Sequence, residues 1–261
     1  MLTEEMLKEV SQKFRAVRYE KALVLIDRYF EIAEETHDIQ AKCYLYYIAI
    51  QIHLNMANDL KAQQLFAQYE ATIPEVVSSL EQLKFSHIAT RIQLIMAHQY
   101  EEAKETLLYL LKQMDEHDYV MNYPNIYISI YANLMECLIH LEEGDAIVKH
   151  YNIIDRIYVH KLLHLDSMLY FSIHSVLAQH YIEKNQLITA EMIIEDCLTL
   201  PEIEDNTKYK GTFLILNSIL YALRNDYQTS NTLYEEALTL VPTNVSRRIL
   251  NDLSNVFAQY L

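Results

Sequence analysis

Apolar residues along the chain recur at helical spacing, and the spacing itself repeats. A small residue is followed four positions on by a large apolar one, and three further on by an apolar or small one. The copies are Ala22, Ile26, Tyr29; Ala62, Phe66, Tyr69; Ala103, Leu107, Leu110; Ala190, Ile194, Cys197; and Ser230, Tyr234, Ala237. A degenerate copy, Ile147, Tyr151, Ile154, fills the gap, so the starting positions advance by 40, 41, 44, 43 and 40 residues. Offsets of four and seven lie on one helical face. Each copy therefore predicts a helix packed closely through its small residue. A second set of marks lies upstream. Tyr46, His87, Tyr131, His174 and Leu214 stand sixteen residues before the small residue, and His53, Leu94, Leu138, Tyr181 and Tyr221 stand nine before it. They predict an apolar helix ahead of each marked one, and so a pair of helices per unit.

Proline punctuates the units. Pro74 and Pro242 fall twelve residues after the small residue and Pro201 falls eleven after, where proline stops one helix and can open the next at its first turn. The predicted pairs run over about 3–35, 37–73, 75–116, 122–161, 164–201 and 206–241, with a closing helix over 243–261. Each unit needs its neighbours to bury its apolar face, so one repeat domain over 1–261 is expected. The polar connection from Asp115 to Pro124 is the candidate hinge. The closing helix carries Ile249, Leu250, Leu253, Val256, Phe257, Tyr260 and Leu261. That stripe reads either as a cap or as the contact of a homodimer.

Composition narrows the class. The whole chain of 261 residues has two glycines and four prolines, too few to turn the corners of an all-β fold. Gly144 and Gly211 are far apart, so no phosphate-cradling glycine loop can be written. What remains is an all-α fold. Lys and Arg number 21 against 36 Asp and Glu, a net charge of -15. With no basic stripe to displace counterions from phosphates, direct nucleic-acid binding is not expected. The most apolar run, Tyr44 to Leu54, is too short to span a membrane and contains Gln51 and His53. Cys43, Cys137 and Cys197 are widely separated and odd in number, and the N-terminal MLTEEM has no signal-peptide character. A reduced, cytoplasmic protein is the expectation.

The repeat resembles the tetratricopeptide repeat (TPR), a helix-turn-helix unit with a small residue early in its second helix, an aromatic four later, Ala three later and Pro at the end. Tyr221, Ser230, Tyr234, Ala237 and Pro242 carry the match best. The likeness spans roughly residues 3 to 242. The departures are the absence of Trp, units longer than the usual 34 residues of the family, and Lys13 and Arg91 at positions where an apolar or small residue is expected. The unit length, about one extra helical turn per pair at ~3.6 residues per turn, resembles the TPR-like domains of bacterial peptide-pheromone receptors of the Rap and PlcR type and of phage arbitrium receptors. The resemblance implies a right-handed superhelical solenoid of about six TPR-like pairs plus a C-terminal helix. It also implies a non-enzymatic regulator that takes a short signalling peptide in a concave groove, as in quorum sensing, and thereby alters a regulated partner protein. The stretch before Ala22 holds only the first helix of its pair, so the helix-turn-helix DNA-binding domain of those receptors is not expected here.

Candidate chemistry for an enzyme is thin. His160 and His164 have an i,i+4 spacing that can share a metal, with no third ligand marked. Cys137 and His140 form an i,i+3 thiol and base without an orienting group. Carboxylate pairs such as Glu34 with Glu35 and Glu235 with Glu236 read as solvated surface. Neither catalysis, a metal nor a cofactor is expected.

Binding is better marked. In a TPR array, the resemblance implies, the first helix of each pair faces the ligand. Its face is interrupted by Tyr47, Gln51 and Asn55 in the second unit, by Asn133, Glu136 and His140 in the fourth, and by Ser175, Gln179 and Glu183 in the fifth. Asn217, and Asn251 with Asn255 in the closing helix, extend the theme. Asn and Gln carry both a donor and an acceptor and can satisfy a peptide backbone whose unpaired burial costs about 1–3 kcal/mol per group. Tyr44, Ile215 and Ile219 would wall the groove. Arg91, a cation in an apolar helix, would hold a carboxylate bidentately, or else point to solvent if that helix is phased differently. The expected peptide-binding set is Tyr47, Gln51, Asn55, Arg91, Asn133, Glu136, Gln179 and Asn217, with a short peptide or extended protein segment as ligand. The alternatives are polar residues of an ordinary face and, for the protein, a scaffold or chaperone-like adaptor.

Overall fold

A computed structural model describes residues 2–75, 78–158 and 161–241 of the chain. Among them there are helices and no strand, as an all-α fold requires. The closing helix at 243–261, with Asn251 and Asn255, together with Pro242 and His160, lies outside the described residues.

By contacts the chain divides into two compact units, Met1–Cys137 and Leu138–Leu261. The first holds α1 (Glu4–Arg15), α2 (Tyr19–Glu35), α3 (Ile39–Asn55), α4 (Asp59–Thr72), α5 (Ser79–Ala97), α6 (Tyr100–Glu116), the one-turn α7 (Tyr119–Asn122) and most of α8 (Pro124–His140). The second holds the end of α8, then α9 (Gly144–Tyr158), α10 (Leu162–Leu165), α11 (Ser167–Glu183), α12 (Leu187–Thr199), α13 (Thr207–Leu223) and α14 (Tyr227–Leu240). Pro124 opens α8 at its first residue, where its missing N–H has no helical partner to lose. Pro74 and Pro201 sit instead in short 3-10 turns. The one-turn α7 lies within the connection from Asp115 to Pro124, the candidate hinge.

Local chemistry explains where the helices begin. Thr3 accepts from the Met6 amide at 3.3 Å, and α1 starts with Glu4 and Glu5 and ends with Lys13 and Arg15, as the helix dipole favours. Asp38 caps α3 through the Ala41 amide, Asp166 caps α11 through Leu169 and Asp226 caps α14 through Thr229, at 3.1, 3.1 and 3.2 Å.

The hairpin turns follow the sequence period. Val17, Ala57, His98, Glu142, Asn185 and Asn225 all have φ between 52° and 63°, and each stands five residues before the small residue of its copy. These are left-handed closures of the first helix. In four of them the next amide bonds the carbonyl of the residue marked nine before the small one: Asn58 to His53, Glu143 to Leu138, Gln186 to Tyr181 and Asp226 to Tyr221, at 2.8 to 2.9 Å. No glycine occupies these positions, although a side chain there costs about 1–2 kcal/mol.

Packing uses the marked residues. Ala22, Ala62, Ala103, Ile147 and Ala190 have no exposed surface, and Ile26, Leu107, Ile194, Tyr29, Tyr69, Ile154, Cys197 and Ala237 are buried with them. In the first unit α1 packs on α2, α3 on α4 and α5 on α6, while α2 and α5 both pack on α3. In the second, α11 packs on α12 and α13 on α14, and α13 packs on both α11 and α12. Gly144 opens α9 against α11: a Cβ there would stand 2.5 Å from Nδ1 of the buried His180.

Two consequences can be measured. Replacing the exposed Glu142 by Gly should raise stability by about 0.5–1 kcal/mol, the left-handed penalty less the entropy glycine adds to the unfolded chain. A lowered urea midpoint would contradict this account of the turn. Gly144→Ala should lower stability by about 1–3 kcal/mol through overpacking, and His180→Ala in the same chain should recover part of the loss.

Candidate functional site

The helix α3 is apolar on nearly every side: Cys43, Leu45, Ile48, Ile50, Ile52 and Leu54 are all buried. Its polar stripe is buried as well, with Tyr47, Gln51 and Asn55 each 5% exposed. An amide buried without partners costs about 1–3 kcal/mol, so these groups must be answered from neighbouring helices.

Arg91 of α5 answers two of them. Its guanidinium donates to Oε1 of Gln51 at 3.3 Å and to Oδ1 of Asn55 at 2.7 Å. The Asn55 amide donates in turn to the hydroxyl of Tyr19, on α2, at 3.2 Å. Gln51 donates to the Tyr47 carbonyl at 3.4 Å. One turn before Arg91, His87 is fully buried, with Nδ1 3.2 Å from the Tyr47 hydroxyl and Nε2 2.9 Å from Nδ2 of Asn133 on α8. The Asn133 amide donates to Nε2, so the neutral ring carries its proton on Nδ1 and donates it to the Tyr47 oxygen. Seven side chains from α2, α3, α5 and α8 thus form one polar chain inside the first unit.

Electrostatics keep it in this state. Burial, helped by the nearby Arg91 charge, pushes His87 down to about 3, so the ring is neutral at ordinary pH. Burial pushes the Tyr47 hydroxyl well above the usual tyrosine range. Beside the chain lies a buried ion pair, Glu81 with Lys84 at 2.6 Å, whose ammonium sits 5.5 Å from the ring centre of Tyr44 and 6.0 Å from that of Tyr47. Oε2 of Glu81 is buried and has no hydrogen-bond partner.

Arg91 differs from the rest. It is half-buried, and among the described residues its hydrogen-bond acceptors are neutral amides, with no carboxylate oxygen within 4 Å. The two amide oxygens take two of the five N–H donors of the guanidinium.

The structure brings Tyr47, Gln51, Asn55, Arg91 and Asn133 together. It does not present them as an open ladder: Gln51, Asn55 and Asn133 are buried, and the amide groups bonded above already have partners within the protein. Glu136 follows Asn133 by three residues on α8 and is half-buried, without a hydrogen bond or ion pair among the described residues. Gln179 and Asn217 belong to the second unit. Gln179 is buried on α11 and donates to Glu183 at 3.4 Å, while Asn217 is half-buried on α13. Ser175 is satisfied by the Ser172 carbonyl at 2.8 Å. Ile215 and Ile219 are fully buried and Tyr44 bonds the Leu7 carbonyl at 3.2 Å, so the isoleucines cannot wall an open groove.

Sequence reasoning missed Tyr19 and assigned His87 to packing alone. The signal for His87 was present, since it lies one turn before Arg91 on the same face. Glu81 and Lys84 carried the same signal, charges at i,i+3 in an apolar helix. Among the described residues no group of three or more His, Cys, Asp or Glu is placed to hold a metal. No described helix is long and apolar enough to cross a membrane. Burial pushes the Cys137 thiol well above its usual value, away from the thiolate that nucleophilic chemistry needs.

His87 predicts an acid limit to stability. Its pKa is about 3 folded against an ordinary 6.5 unfolded, so below about pH 6.5 the unfolded chain binds a proton that the folded one refuses. The His87 contribution is constant above that pH and falls progressively down to about 3. Between pH 7 and 4.5 it amounts to about 2–3 kcal/mol. His87→Gln keeps hydrogen-bonding capacity without the titration, and its urea unfolding free energy should drop less over this interval by that amount. An equal drop in both proteins would remove the assignment.

Compared with known proteins, the chain matches no protein family, no curated protein and no solved structure.

Proposed function

We propose that this chain is a non-enzymatic binding protein, a TPR-like superhelical solenoid that takes a short peptide or an extended protein segment along the polar band of its first helices. A regulatory role follows in this reading, because a ligand that engages α3, α5 and α8 together changes their packing and with it a second interaction. The observation that carries the reading is Arg91. A half-buried cation whose hydrogen-bond partners among the described residues are neutral is an incomplete ion pair, and partial desolvation makes an anion there worth more than it would be in water. The two amide oxygens hold the guanidinium in one orientation before any ligand arrives, which lowers the entropic cost of binding. In a chain of net charge -15, such a cation supplies a local attraction for a peptide carboxylate or acidic side chain. The buried amides of Gln51 and Asn55 brace this anchor and Asn133 braces His87 one turn before it, where an open ladder would have bonded the peptide directly.

The adaptor reading has one observation in its favour. Ile188 and Met192, one turn apart on α12, are 73% and 61% exposed.

Thermal unfolding of the intact protein with a mixture of free-ended synthetic hexapeptides separates the two. Peptide binding at a hundredfold excess over its dissociation constant should stabilise the wild type by ~2.7 kcal/mol, and Arg91→Gln, checked for folding by circular dichroism, should show no shift. Absence of any shift in the wild type would count against the peptide reading and for the adaptor.

A further inference from the structure

In the second unit, α12 turns an apolar and acidic stripe outward. Among the described residues, Ile188 and Met192 are the one pair of exposed large apolar side chains four apart on a helix, at 73% and 61% exposure. Glu195 continues the stripe seven residues after Ile188 and Asp196 borders it at eight, so all four share one side of the helix. Both acids are exposed, and neither forms an ion pair among the described residues. Arg224, whose charge Glu195 also feels, is committed to both carboxylate oxygens of Glu191. Glu195 and Asp196 lie in the last two turns of α12, at the negative end of the helix dipole, and the last turn carries no basic residue to offset it. The stripe is therefore apolar at its start and strongly negative at its end.

We propose that this face docks a basic amphipathic helix of a partner protein. Apolar side chains of the partner cover Ile188 and Met192, and a Lys or Arg beyond them reaches Glu195 and Asp196. The proposal narrows the adaptor reading to one kind of partner and does not depend on Arg91. Charge complementarity selects the sign, because an acidic helix meets repulsion at the end of the stripe where a basic one is attracted. It also disfavours a second copy of this chain, which brings a net charge of -15 of its own. Secondary structure follows from the backbone. A helix satisfies its own amides and needs only side chains to match, whereas an extended segment laid on Ile188 and Met192 leaves its amides unpaired. At ~1.5 Å of rise per residue, Met192 lies about 6 Å and Glu195 about 10 Å along α12 from Ile188. The matching segment has two apolar residues three or four apart and a basic residue within the next turn.

The test uses the whole protein and a displayed library of helical peptides of about 18 residues, with leucines fixed four apart and the flanking positions randomised among Lys, Arg, Glu and Gln. Helices enriched on the wild type should carry Lys or Arg one turn beyond the leucines. Binding of one enriched peptide, followed by fluorescence anisotropy, should weaken about tenfold or more when Ile188→Ser is combined with Met192→Ser. It should weaken severalfold when Glu195→Gln is combined with Asp196→Asn, and that variant should also lose most of the dependence on salt between about 0.05 and 0.5 M. All four side chains are exposed, and circular dichroism checks that the variants keep their helices. Enrichment of acidic or uncharged helices, binding unchanged in the folded variants, or no enrichment at all would overturn the proposal. So would wild-type self-association in sedimentation that the Ile188 and Met192 substitutions abolish, since the occupant would then be a second copy. The hexapeptide result at Arg91 is a separate outcome, and its failure leaves this face untouched.

Discussion

The close approach of two helices at a small side chain is the constraint from which the rest of this structure follows. Ala22, Ala62, Ala103 and Ala190 have no exposed surface, and a larger residue there would have to displace whatever packs over it. The degenerate copy makes its close approach to a different helix, α11. Ile147 is fully buried, and the glycine three residues before it makes the tight approach, with His180 where a Cβ would stand. The turns obey the same geometry. Six first helices end in a left-handed residue five positions before the small one, and the chain accepts Val, Ala, His and Glu in that conformation to keep the second helix in register. The backbone strain is tolerated because the packing it permits outweighs it.

Once α3 is buried on nearly every side, its polar residues become a problem of energetics. Tyr47, Gln51 and Asn55 cannot reach bulk water, and each finds a partner on another helix or along α3 itself. A polar chain of this kind adds little net stability, since each bond replaces one to water, but every wrong alignment of the four helices would strand several groups at once. It therefore selects one arrangement of α2, α3, α5 and α8. The neutral state of His87 is part of that selection, because a protonated ring would have a positive charge facing Arg91 and no acceptor to offer Asn133.

Arg91 is where structural and functional demands separate. Lys84 in the same helix is paired with the Glu81 carboxylate. Arg91 is held by neutral oxygens at a position that retains some access to solvent. The proposed role in binding rests on this contrast between two cations of one helix, one paired with a carboxylate and the other, among the described residues, with neutral amides.

The repeat, the helix pairs and most of the buried positions were legible in the sequence, because small and large apolar residues at offsets of four and seven report which face of a helix is covered. Arg91 and the Asn and Gln stripe were legible as anomalies, polar residues where the period expects apolar ones. What those residues touch was not legible. Tyr19 and Asn55 are 36 residues apart, Arg91 and Gln51 40, and Asn133 and His87 46, and periodicity within a helix carries no information about which side chains of neighbouring helices meet. The sequence by itself determined that helices pair and which faces they bury. Only the packing of α2, α3, α5 and α8 decided that the amides face inward onto one another and that Arg91 has no counter-charge among the described residues, because hydrogen bonding and desolvation depend on neighbours distant along the chain.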